Sequence, residues 1–93
     1  MDRRPMAWTA ANARHIERDH PEREITRDEV TEALNDPDRL ESIATRSGVD
    51  YHEVLGLTRA GRLLFVVWVD HPDGRFPVHA RRAGRKAAGR YYR

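Results

Sequence analysis

The sequence predicts an α+β fold in which two N-terminal helices pack on an antiparallel meander sheet. Signals that begin and end helices cluster in the first third of the chain. Four segments with strand-like patterns then follow from Leu40 to Arg82, separated only by short turns. Strands joined by short turns pair as antiparallel neighbours, and helices outside such a meander cover a face of the sheet. The 93 residues suffice for one domain, residues 1–93, without an internal boundary.

The N-terminal segment is predicted to hold a short strand and a first helix. Arg4 to Trp8 is the strand, and Pro5 confines it to the edge of the sheet because proline cannot donate a ladder hydrogen bond. Thr9 is suited to cap a helix that runs from about Ala10 to Asp19. The helix ends before Pro21, since the residue that precedes a proline disfavours helical torsions.

The second helix has the clearest boundaries in the chain. Thr26 and Glu29 form a T-x-x-E capping box that begins it, and Asn35-Asp36-Pro37 ends it. The spacing of its apolar residues indicates a narrow buried face of Val30, Ala33 and Leu34.

The rest of the chain alternates as strands do and ends in a weak helix. The predicted strands are Leu40–Arg46, Tyr51–Thr58, Arg62–Asp70 and Arg75–Arg82. In the last strand, alternation assigns Phe76, Val78 and Ala80 to one face and Pro77, His79 and Arg81 to the other. Ala83 to Tyr92 is predicted as a short C-terminal helix, which two glycines weaken by about 1 kcal/mol each relative to alanine.

Composition excludes several classes of site. The chain has no cysteine, which excludes disulfides, zinc–thiolate sites and thiol nucleophiles. His15 and His20 lie five residues apart across a helix end, a poor spacing for chelation, so we expect no metal and no other cofactor. The longest apolar run, Leu63 to Val69, is too short for a membrane span, and no signal peptide is evident. We therefore expect a cytoplasmic protein without membrane contact.

Basic residues are concentrated in the second half of the chain. Residues 46–93 carry ten Arg and Lys against four acids, and the segment from Arg81 onward carries six basic residues and no acid. Sixteen of the 17 cations are arginine, which suits bidentate contacts with phosphate. Such a block is typical either of contact with a polyanion or of a solvated tail.

Motifs along nearly the whole chain resemble the BrnT family, in the same order. The sequence contains W-x3-N-x2-H-I-x3-H from Trp8 and I-T-x-D-E-V-x-E-A-L from Ile25. It continues with D-P at Asp36, L-G-x-T-x-x-G-R-L-L-F-V-V from Leu55, V-H-A-R-R-A from Val78, and a C-terminal tyrosine, Tyr91 or Tyr92. The resemblance implies a RelE/ParE-like fold and a type II toxin that cleaves RNA. It further implies a cognate antitoxin in a hetero-oligomer, and contact with operator DNA only through that antitoxin.

The residues suggest how such cleavage could proceed. When the 2′-hydroxyl attacks the adjacent phosphate, the enzyme must move protons and offset new charge on phosphorus. His79 and Arg81 share a strand face at i, i+2 spacing, and pairing about the last turn brings Arg62 near Arg82. We therefore expect a phosphate clamp of Arg62, Arg81 and Arg82, with His79 as the acid or base.

Further residues are candidates for contact with RNA outside the catalytic group. The stacking candidates are Trp8 and Tyr92, and the basic candidates are Arg85, Lys86 and Arg90. For Trp8 a role as a core anchor between sheet and helix is favoured over stacking, and the tyrosine stays open between packing and RNA contact.

Two other functions stay open at this point. The family often has a lysine near the tryptophan and a glutamate in the last helix, whereas residues 11–14 lack lysine and residues 84–93 lack any acid. A non-catalytic relative that binds a partner or nucleic acid would explain both departures. The third alternative is a small scaffold whose basic block is only solvated.

Overall fold

The computed structural model describes residues 4–93 and confirms the predicted α+β class. Four strands form one antiparallel sheet in the order β1-β2-β3-β4, so neighbours in sequence are neighbours in the sheet. The elements are α1 (Ala10–Glu17), a 3₁₀ turn (Pro21–Arg23), α2 (Arg27–Leu34), β1 (Leu40–Arg46), β2 (Val49–Leu57), β3 (Leu63–His71), β4 (Gly74–Arg82) and α3 (Arg85–Tyr91).

Both main helices begin with the side-chain caps that a short helix needs. In α1, Thr9 Oγ1 accepts from the Asn12 N–H at 3.3 Å, while Asn12 Oδ1 accepts from the Thr9 N–H at 2.7 Å. In α2, Thr26 and Glu29 bond in the same reciprocal way, as the T-x-x-E motif predicts. The first helix ends at Glu17, two residues before the predicted end.

The hydrophobic core lies between α1, α2 and one face of the sheet. Its helical side includes Ile16, Val30 and Leu34, and its sheet side includes Val54, Leu64, Val66, Trp68 and Ala80. Gly56 of β2 allows α2 to approach closely, because a Cβ there would lie 2.0 Å from the Ala33 carbonyl oxygen. We call the opposite side of the sheet, which α1 and α2 leave uncovered, the open face.

A β-bulge in β4 overturns the predicted face of Pro77. The register is shifted between Val67 and Trp68, so that Val67 faces His79 while Trp68 faces Pro77. Pro77 is therefore buried with Trp68 on the core side rather than exposed beside His79. Strict alternation fails here because a bulge adds one unpaired residue to one strand.

The terminal segments also differ from the prediction. The predicted strand from Arg4 to Trp8 is reduced to a single parallel bridge between Met6 and Arg75. The C-terminal helix forms, but it is confined to Arg85–Tyr91. Within residues 4–93, no helix combines the length and apolar character that crossing a membrane requires.

Candidate nucleic-acid interface

The open face aligns functional side chains in two adjacent rows across the sheet. In one row, Leu55 of β2 faces Phe65 of β3, which faces Arg81 of β4. In the next row, Glu53 faces Val67, which faces His79. Paired residues on antiparallel strands point to the same side of a sheet. The register therefore places an arginine, a histidine and a carboxylate on one surface.

Arg81 is exposed and supported by an aromatic ring rather than by a carboxylate. Its guanidinium carbon lies 4.7 Å from the centre of the Phe65 ring, within cation–π range. Its Nη1 also donates to the carbonyl of Arg82 at 3.3 Å. Among residues 4–93 it forms no ion pair with an acid. Donor capacity is thus left for an anion from solution, such as a phosphate.

The surroundings of His79 hold its imidazole in the neutral form. Burial lowers the pKa of His79, and the nearby charges of Arg23 and Arg81, together with His15 and His20, lower it further. A neutral imidazole can accept a proton at physiological pH, whereas a cationic one cannot. His79 is therefore suited to act as a base, while Arg81 supplies a positive charge in the adjacent row.

Glu53 is a functional candidate that the sequence prediction missed. It shares the row of His79, two strand spacings away, or about 10 Å between backbones. Its side chain is 30% exposed, and its Oε2 atom lies 4.0 Å from Nη2 of Arg46. Glu53 and Leu55 share a strand face by their i, i+2 spacing, but only the sheet order brings that strand into line with His79.

The third helix adds a basic side chain to this surface. Arg90 lines a groove of about 190 Å³ together with Glu53, Leu55 and Phe65. The helix carries further exposed cations in Arg85 and Lys86. Arg90 thus extends the positive surface of Arg81 along the open face.

A hydrogen bond from Tyr91 to Asp36 holds α3 against the body of the protein. The Tyr91 hydroxyl donates to Asp36 Oδ2, which also accepts from the Leu57 N–H at 2.8 Å. Burial would raise the pKa of Asp36, but hydrogen bonds from Tyr91 and from the backbone hold it below the usual value. Burial and the bond to Asp36 raise the pKa of Tyr91. Tyr91 therefore has a structural contact, whereas Tyr92 is 63% exposed.

The predicted arginine clamp is not assembled in the structure. Arg62 Nη1 donates to Glu29 Oε2 and to the Glu24 carbonyl, both at 2.7 Å, and Nη2 donates to the Arg23 carbonyl at 3.0 Å. These partners lie on α2 and the segment before it, on the side of the sheet away from Arg81. The guanidinium of Arg62 is thus engaged within the protein.

The other predicted contact residues are divided between the two sides of the sheet. Arg82 faces Leu64 of the core side, so it points away from its neighbour Arg81 although it is exposed. Trp8 is half-buried and packs against the hydrophobic core, as an anchor would. Arg81, His79 and Arg90 are therefore the predicted residues that the open face brings together.

Metal binding has no support in the described part of the chain. Across residues 4–93, no three His, Asp or Glu side chains are grouped closely enough to hold an ion. His15 and His20 instead contact each other edge to face, with ring centres 5.4 Å apart.

No family model matches this chain, and no curated protein matches it. The resemblance to BrnT-type proteins therefore stays a prediction from motifs, and the open face is the part of the structure that bears on function.

Proposed function

We propose that this chain is a cytoplasmic, metal-independent endoribonuclease that acts as the toxin of a type II toxin–antitoxin system. The observation that carries the proposal is that a histidine, an arginine without an acidic partner among residues 4–93 and a carboxylate share the open face. His79 and Arg81 occupy adjacent rows there, and Glu53 shares the row of His79. RNA cleavage by attack of the 2′-hydroxyl requires proton transfer and stabilisation of the negative charge that develops on the phosphoryl group.

Each residue has a distinct role in the proposed reaction. His79 accepts the proton of the 2′-hydroxyl as the 2′-oxygen bonds to phosphorus. Arg81 offsets the extra negative charge that develops on the phosphoryl oxygens. The bond from phosphorus to the 5′-oxygen breaks, and that oxygen takes a proton from water on this open surface. Glu53 is the alternative acceptor for this same proton, and Arg90 contacts a neighbouring phosphate.

The proposed partner is an antitoxin with an acidic surface. An acidic protein would neutralise the basic C-terminal segment and cover the open face, and electrostatic complementarity would speed the association. Operator DNA would be reached only through that antitoxin. Expression of the chain should then arrest growth, and coexpression of the antitoxin should relieve the arrest.

A non-catalytic RNA-binding module is the second candidate. It is favoured by the engagement of Arg62 within the protein and by the absence of acids from residues 84–93. Such a module would keep the basic surface and its affinity for RNA but would break no bond.

Incubation of the purified chain with total RNA in a metal chelator separates the two candidates. The ribonuclease should release fragments that end in a 2′,3′-cyclic phosphate and begin with a 5′-hydroxyl. The His79→Ala variant should bind RNA with wild-type salt dependence but cleave it at least about 100-fold more slowly, the usual contribution of one acid–base group. Intact RNA after binding to the wild-type chain would reject the ribonuclease and support the binding module.

A further inference from the structure

Within residues 4–93, the rest of the chain covers the β4 edge of the sheet but not the β1 edge. The β4 edge is covered by the N-terminal segment. The Arg75 N–H donates to the Pro5 carbonyl, and the Arg75 carbonyl accepts from the Ala7 N–H. Side chains occupy two further carbonyls of this edge: Asn12 Nδ2 donates to Pro77 at 3.1 Å, and Arg23 Nη1 donates to Ala80 at 3.2 Å. Covered edges of this kind prevent strand pairing with other chains.

The β1 edge has no such cover in residues 4–93. Ser47 and Gly48 have positive φ angles of 50° and 78° and form a two-residue turn, so Arg46 and Val49 are the hydrogen-bonded pair that closes the hairpin. Alternation from that pair directs the backbone groups of Glu41, Ile43 and Thr45 away from β2. No backbone bond beyond those with β2 involves β1 in the described residues.

The strand β1 also lacks two features that discourage pairing, a proline and a bulge. The strand contains no proline, and its register with β2 runs without a bulge from Leu40 to Arg46. Ile43 is 60% exposed on the core side of the sheet, beyond the cover of the helices. A regular, exposed edge with apolar side chains is a template for another strand.

We propose that β1 pairs antiparallel with β1 of a second copy of this chain, which joins two sheets into one of eight strands. The two-fold axis passes through the facing pair of Ile43 residues. This register opposes Glu41 to Thr45, so their outward backbone groups form about six hydrogen bonds across the axis. Both open faces then lie on the same side of the joined sheet.

The distribution of charge along β1 favours a second copy over an unrelated strand. Glu41 lies near one end of the strand and Arg46 at the other. In this register Glu41 faces Thr45 and Arg46 faces Leu40 of the second copy, so no like charges face each other across the axis. The two Ile43 side chains cover each other, which removes the most exposed apolar residue of the strand from water.

Sedimentation of the purified chain from about 1 μM to about 1 mM tests this inference. We expect the apparent mass to rise from 10.8 kDa toward twice that value. Over the same range, the amides of Glu41, Ile43 and Thr45 should become protected from hydrogen exchange, while those of Ser42 and Ala44 are protected throughout. A chain that stays monomeric at the highest concentration would overturn the proposal, including the case in which β1 serves only a different protein.

Substitutions at the axis supply the controls. Ile43→Lys places two like charges in direct opposition and should leave a monomer, whereas Val49→Lys, at a position 42% exposed on β2, should leave the dimer intact. An equimolar mixture of the Ile43→Lys and Ile43→Glu chains should restore the dimer, which a misfolded variant could not do. A dimer that survives Ile43→Lys, or a mixture that stays monomeric, would contradict the proposed register. None of these readouts depends on RNA cleavage.

Discussion

His79 depends for its proposed role on the residues around it. Its ring lies 6.1 Å from that of Phe65, and the positive charges of Arg23 and Arg81 act on it together with burial. A histidine in water would be partly protonated near neutral pH. In this setting the neutral form is favoured, so proton acceptance and phosphate binding are assigned to different side chains.

Titration of His79 by NMR should give a pKa below the ordinary value of 6.5. Arg23→Gln removes a positive neighbour and should move the pKa upward, whereas Arg27→Gln, whose arginine pairs with Glu17, should not change it. Because the folded-state pKa lies below the unfolded one, the stability that this residue contributes is complete above about pH 6.5 and declines as the pH falls below that value. A measured pKa at or above 6.5 would contradict the effect assigned to burial and to the two neighbouring arginines.

Arg62 should stabilise the fold and have no direct part in RNA contact. Arg62→Met leaves Glu29 and two carbonyls without their donor, and it should lower the free energy of unfolding by about 1.5–3 kcal/mol, the range for hydrogen bonds to charged groups. Arg59→Met, in the same turn and exposed, is the matched control and should be nearly neutral. Urea denaturation measures both. Loss of RNA cleavage without loss of stability in Arg62→Met would restore the predicted clamp.

Local spacing predicted part of the site, and long-range pairing determined the rest. The i, i+2 spacing of His79 and Arg81 was sufficient to put them on one face. The partner of Arg62, by contrast, is Glu29, 33 residues away in sequence, and no local pattern encodes that contact. Glu53 was missed for the same reason, since its alignment with His79 requires two strand registers.

At the scale of the elements, caps and turns made the boundaries predictable. Both helices begin at the predicted residues because Thr9 and Thr26 satisfy backbone donors that would otherwise be free. The bulge opposite Val67 was not predictable from alternation, and it alone reversed the face of Pro77. An extra residue in a strand leaves little sequence signal when both faces of the neighbouring strand are apolar.

Contact between α2 and β2 should be the most sensitive to small changes in volume. Gly56→Ala would place a methyl group 2.0 Å from the Ala33 carbonyl oxygen, so the helix must shift, at a cost of about 1–3 kcal/mol. Gly89→Ala is the matched control, because its Cβ meets nothing within 4 Å and alanine favours the helix by about 1 kcal/mol. Thermal unfolding should show a lower midpoint for the first variant alone. Equal midpoints would contradict the close approach.

Across the whole molecule, acidic and basic side chains lie in different surroundings. The net charge is only +2, but the charges are unevenly distributed. The N-terminal half is rich in acids, and the C-terminal segment has none. Arg81 and Arg90 of the basic segment lie on the open face, while acids such as Glu29 and Asp36 bond to residues within the protein. The sequence alone predicted the basic segment, but its position relative to Phe65 and Glu53 depended on the sheet order.

We propose that the open face, and not the basic segment in general, contacts the scissile phosphate. Arg81 and Arg82 test it directly, because they are adjacent, identical and exposed but point to opposite sides of the sheet. The measurement is the rate of formation of 2′,3′-cyclic phosphate ends from a defined RNA. Arg81→Ala should lower this rate by at least about 100-fold, as removal of one transition-state donor does, while Arg82→Ala should lower it by less than about threefold. Equal losses in the two variants, or a larger loss in Arg82→Ala, would contradict the account.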